Sequence, residues 1–196
     1  IDEYQDATGI DASASTNEVA GGATTAKYYE GASAGTGPAG GSSTGNYTHG
    51  GLTYYFNKFT ADTNLVTDDA GTADVFLIGG GGSSAGDNSG GGGAGGLIWK
   101  AGHAFAASTT FAIDIGIGGV GADAGAQDST TSGADTTLAS TTFVAKGGGY
   151  GGSASKDGIA GGSGGGAGRN TGSGSDPGAS NQSSQSGDSG TYGFGY

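Results

Sequence analysis

The sequence has no cysteine, no methionine and only two prolines in 196 residues. Without cysteine there is no disulfide framework, no thiolate metal site and no cysteine nucleophile. Two prolines and the lack of a strict Gly-X-Y period exclude collagen. Cations are scarce: Lys27, Lys58, Lys100, Lys146, Lys156 and Arg169 stand against 18 acidic residues, for a net charge of −12 and a pI near 4.1. So few cations cannot neutralise many phosphates, and nucleic acid is not an expected partner. Long apolar runs are missing too. The longest strongly apolar run is the four residues Val75 to Ile78, whereas a membrane-spanning helix needs about 20, so no membrane insertion is expected. A start at Ile1 with no methionine is expected of a processed chain or of a piece of a longer one. No basic stretch followed by an apolar one opens the sequence as a signal peptide would.

What is there is glycine, 49 residues or one in four. Leu, Ile, Val and Phe together number 25, about 13%. That composition with high net charge falls on the disordered side of the usual boundary. Placement argues the other way. Twenty of the 25 lie between Leu52 and Val144, so the middle of the chain can hold a core and the glycine-rich segments attach to it.

Within that middle the apolar period is two. Phe111, Ile113, Ile115 and Ile117 alternate with small or polar residues, which predicts a strand with one buried face. Leu52 to Phe56, Leu97 to Lys100 and Thr141 to Val144 read as further strands. Val75 to Ile78 is apolar on both faces, the pattern of a strand covered on both sides. Gly, Asn, Asp and Ser clusters separate these segments as turns do. No window shows helical spacing over three turns. The expected fold is all-β, a β-sandwich or jelly-roll-like core with ordered glycine-rich loops. Val75 to Gly82 and Phe143 to Gly149 are both apolar strands that run into glycine, which predicts two glycine segments leaving one end of a sheet.

The glycine tracts themselves admit two readings. One is flexible linker. The other is packed polyglycine II, a helix of three residues per turn without internal hydrogen bonds, whose amides bond between neighbouring helices. Any Cβ obstructs such packing, so glycine recurs every third residue, as at Gly158, Gly161 and Gly164 and at Gly162, Gly165 and Gly168.

Chemical motifs are few. Gly79 to Gly96 contains G-x-G-x-x-G matches, but a strand follows where a dinucleotide site needs a helix. There is no G-K-[ST] and no nucleophile elbow. His49 and His103 stand far apart, read as isolated histidines. Asp68, Asp69 and Asp74 near Gly71, and Asp2, Glu3 and Asp6, are oxygen donors of the kind Ca²⁺ takes, without the 12-residue loop pattern; solvated turns are the expected role. No cofactor, metal or catalytic residue is expected. Aromatics beside glycine are a composition suited to contact, rigid apolar area on a free backbone. Tyr150, Tyr192, Phe194 and Tyr196 are the candidate contact surface, with cover for the ends of a thin core as the other reading.

The ordered set Val75-Phe76-Leu77-Ile78 with Gly79 to Gly82, Gly90 to Gly96 with Leu97-Ile98, Phe111 to Gly119, and Phe143-Val144 with Gly147 to Gly152 resembles the glycine-rich domain of tailed-bacteriophage tail fibres, adhesins and other virion proteins, over roughly residues 46–196. The resemblance implies a non-enzymatic virion structural protein, outside the cell, whose partners are copies of itself and other structural subunits, and host glycan or outer-membrane protein. Residues 1–45 are expected to be an extended assembly arm and 46–196 the glycine-rich β domain. The alternative expectation is a cellular extracellular filament or surface-layer subunit that assembles through that arm.

Overall fold

The computed structural model describes residues 39–86, 88–122, 130–139, 143–154, 156–169 and 176–182. The arm expected over 1–45 therefore lies, up to residue 38, outside the described residues. Among the described residues eight strands occur in order: β1 (Ser43–His49), β2 (Leu52–Lys58), β3 (Thr63–Thr67), β4 (Gly71–Ile78), β5 (Leu97–Phe105), β6 (Thr109–Asp114), β7 (Thr136–Leu138) and β8 (Phe143–Ala145). The described residues contain no helix, and the fold is all-β. The sheets are small, β1-β2, β4-β5 and β3-β6-β7-β8, and none closes into a barrel. Two compact units divide the chain, one of Ile1–Asp74 with Gly102–Phe111 and one of Val75–Ala101 with Ala112–Tyr196.

In the first unit β1 and β2 form an antiparallel hairpin, Ser43 opposite Lys58 through His49 opposite Leu52. Its turn is Gly50-Gly51, at φ of +60° and +78°. Two consecutive positive φ values suit the tight hairpin turn that follows strand twist, and only glycine adopts them freely. Tyr47 stacks on Tyr54 across the strands, ring centroids 5.2 Å apart. Phe56 lies over Gly45, where a Cβ would be 2.8 Å from its ring. Leu65 and Phe105 are buried, and Phe105 meets Phe111 edge to face at 5.1 Å. The buried Thr67 hydroxyl donates to Ala106 O at 2.6 Å.

The second unit has a small two-layer core. β4 and β5 turn Val75, Leu77 and Ile98 inward; β6, β7 and β8 turn Ile113, Leu138, Phe143 and Ala145 inward. The buried Thr136 hydroxyl ties the layers, donating to Ile78 O at 2.7 Å and accepting from Gly116 N–H at 2.9 Å. β7 pairs β6 and β8 with Leu138 opposite Ile113 and Phe143.

Beyond this core both layers continue as glycine rods. Residues 79–85 leave β4, 90–96 enter β5, 116–121 follow β6, 131–135 precede β7 and 146–152 follow β8. None of their glycines has positive φ. Their amides bond to other rods, and the direction turns with period three. In 146–152, Gly148 and Gly151 N–H donate to Gly80 and Ser83 O, whereas Gly149 and Gly152 N–H donate to Ser163 and Gly166 O. The carbonyls of Lys146, Gly149 and Gly152 accept from Gly96, Gly93 and Gly90; that of Gly148 accepts from Gly133, and that of Tyr150 from Ile159. A strand sends its amides to two sides with period two. Period three and five surrounding segments are the arrangement of polyglycine II. The same bonds order the rods into layers: 116–121, 79–85 and 90–96; then 131–135, 146–152 and 163–168; then 158–161 and 176–182.

Three expectations change here, and one contact is new. The alternation from Phe111 does not continue as a strand to Ile117: β6 ends at Asp114, and Ile117 is 73% exposed because Gly116 and Gly119 carry the chain into a rod. The Val75 strand is not covered on both faces. β4 pairs β5 alone, and Phe76 and Ile78 are 60% and 54% exposed. The glycine run 158–168 is two rods and not one, since Gly165 N–H bonds back to Ile159 O. Finally, the end of β8 is closed by a side chain, Gln182, which accepts from Lys146 N–H at 2.8 Å and donates to Val144 O at 3.1 Å.

Candidate contact surface

The rods expose one face built almost entirely of backbone. Apart from Ile117 and Val120, which are 73% and 64% exposed, the first two positions of each triplet in the layer of 79–85, 90–96 and 116–121 meet other rods and the third does not. A Cβ at Gly79 or Gly82 would run into Lys146 O or Gly149 O, and one at Gly92 or Gly95 into Gly82 O or Gly79 O. At Gly116 and Gly119 it would run into Ala134 O and Thr131 O. The remaining positions are Gly81 and Ser84, Gly91 and Ala94, and Gly118 and Gly121, all exposed. The same face continues onto β4 and β5 through the outward residues of their alternation, Phe76, Ile78 and Trp99, the last 44% exposed. Gly79 N–H bonds Gly96 O at 2.9 Å where the two strands pass into rods. Counting back from that bond sets Phe76 beside Trp99.

Of the residues expected from sequence to make contact, Tyr150 lies in rod 146–152, half-buried, its carbonyl held by Ile159 N–H at 3.0 Å. Tyr192, Phe194 and Tyr196 lie outside the described residues. Sequence reasoning did not single out Phe76, Ile78, Trp99 or the four exposed glycines as a surface. The two-sided apolar pattern of Val75 to Ile78 carries the signal, but a strand covered from within has the same pattern.

Polar groups elsewhere serve structure. Asp135 accepts from Gly147 N–H at 2.8 Å and from Lys146 Nζ at 2.7 Å, stitching two rods. Asp74 accepts from Gly102 N–H at 2.8 Å. His103 packs edge-on against Phe105 at 4.8 Å, and His49 is exposed in the β1-β2 hairpin. Asp2, Glu3 and Asp6 lie outside the described residues. Among the described residues no three His, Cys, Asp or Glu are grouped to hold a metal ion.

A family described as a glycine-rich domain matches residues 58–196. The chain belongs to the glycine-rich domain family. No curated protein and no solved structure is significantly similar to it. The match starts at Lys58, the last residue of β2, so the glycine-rich domain takes in β3 to β8 and all of the rods, and the β1-β2 hairpin stands before it.

Proposed function

We propose that this glycine-rich domain protein is a non-enzymatic structural subunit of an extracellular particle, the virion of a tailed phage, as part of a tail fibre, an adhesin or the capsid surface. The observation that carries the reading is the rod lattice. Its interior is amide bonded to amide, with almost no side chain inside, and its residues are committed to close packing. Such a body suits a module that is built to stack with others. High acidity keeps it soluble before assembly and is screened in a salty medium. Its partners in this reading are copies of itself and other structural subunits, with host glycan or outer-membrane protein met through aromatics such as Tyr150, Tyr192, Phe194 and Tyr196. Nucleic acid and membrane insertion have no part in it, and it uses no cofactor.

The test is the symmetry of the assembled protein, by light scattering and electron microscopy. Closed point-group symmetry supports a virion component. An open helical array supports the cellular filament or surface-layer subunit instead. A strict monomer at every concentration and salt overturns both.

A further inference from the structure

The rod layer 79–85, 90–96 and 116–121 carries four glycines that none of the described residues requires. Gly81, Gly91, Gly118 and Gly121 have no positive φ, so conformation does not demand glycine. Space does not demand it either. A Cβ at Gly91 would meet nothing within 4 Å, and at Gly81, Gly118 and Gly121 its nearest neighbours would be at 4.0, 3.7 and 3.6 Å, ordinary contact distances. Other glycines of the same rods are held to glycine by backbone that leaves no room: Gly79, Gly80, Gly82, Gly90, Gly92, Gly93, Gly95, Gly116 and Gly119.

A second observation lies on the same face. Val75 to Ile78 has the sequence of a strand covered on both sides, yet among the described residues only the side of Val75 and Leu77 is buried. Phe76, Ile78 and Trp99 remain exposed together on the other. Covering such side chains removes their remaining apolar area from water, which favours a contact over this face.

We propose that this face is where a second copy of the chain docks, face to face, so that the layered packing inside one protein continues across the contact. Three features of the surface select that occupant. Bare backbone lets another surface without Cβ atoms approach most closely, as between the rods of this chain, and the same face of a second copy is such a surface. The apolar residues are matched in the same way, since a two-fold contact brings each patch against its own equivalent. None of the seven residues named is charged, and Asp74, the carboxylate two residues before Phe76 on the outward side of β4, accepts from Gly102 N–H at 2.8 Å. The contact rests on the assembly reading above and names the surface it uses.

The experiment measures self-association of the full chain by analytical ultracentrifugation at about 10 and about 150 mM salt, where the screening length falls from about 30 to about 8 Å. Gly91→Leu and Trp99→Ser are compared with wild type, each checked for an unchanged circular dichroism spectrum and melting temperature. Tyr47→Ser on the β1-β2 hairpin is the control. The expected result is wild-type association that tightens with salt, at least ten-fold weakened in the first two variants and unchanged in the control. A Cβ at Gly91 meets none of the described residues within 4 Å, so Gly91→Leu keeps the test sound if Trp99→Ser unfolds. Wild type that stays monomeric at both salts overturns the assembly reading and this contact together. Wild type that associates equally well in both folded variants overturns this contact alone.

Discussion

Single atoms decide what this protein tolerates. Gly148 sits in the central rod, where a Cβ would be driven into Gly93 O and Ala94 C. Backbone on both sides cannot step aside as a flexible side chain can. Gly148→Ala is therefore expected to cost about 3 kcal/mol or more, read as a lowered denaturant midpoint. Gly91→Ala adds the same methyl group where nothing lies within 4 Å. Measured on the monomer, it is expected to change stability by no more than about 0.5 kcal/mol. If the two substitutions destabilise alike, glycine is present for flexibility and not for packing. Thr136 is the polar counterpart. Its hydroxyl is buried and used twice, toward Ile78 O and from Gly116 N–H. Thr136→Val leaves both groups without a partner and is expected to cost about 1–3 kcal/mol, whereas Thr137→Val, at a half-buried site, should cost less.

At the scale of elements, the rods and strands differ in how their amides are spent. A rod gains its order only from its neighbours, having no hydrogen bonds of its own. Rod 146–152 has the most neighbours, and Gly148, Gly149, Gly151 and Gly152 are buried in it. Amide hydrogen exchange should be slowest there and fast at exposed Gly118. Uniform fast exchange through 146–152 would remove the lattice from the solution structure. Strands were legible where apolar residues alternate, as in β2, β5 and the first part of β6. β1 (Ser43–His49) and β7 (Thr136–Leu138) were not, because Ser-Thr-Gly-Asn-Tyr-Thr-His and Thr-Thr-Leu have almost no apolar pattern and are held by pairing with β2, β6 and β8. The glycine period at 158–168 was legible as three, but not the reversal within it, since glycine on either side of a bend looks the same.

Over the whole molecule, charge and packing oppose each other. A net charge of −12 on 196 residues repels itself in the compact state and repels other copies. Thermal stability of the monomer is expected to rise as salt goes from about 10 to about 150 mM, because screening relieves that repulsion; a melting temperature that falls over this range would show that attractive ion pairs dominate instead. Asp135 with Lys146 is the ion pair that links two rods, and at a third or more exposure for both side chains it adds little against the general repulsion.

The all-β class, the apolar middle from Leu52 to Val144 and the glycine-rich domain follow from the order of residues alone, because alternation and composition are local properties of a chain. The same order carries the two-sided apolar pattern of Val75 to Ile78. Which glycines are needed and which are not depends on the packing of rods distant in sequence. Gly148 and Gly91 are identical in sequence terms, each within a run of glycine, and differ only in what stands opposite the missing Cβ. Gly93 O faces the one and open space the other, and that difference turns a single residue type into both a core and a surface.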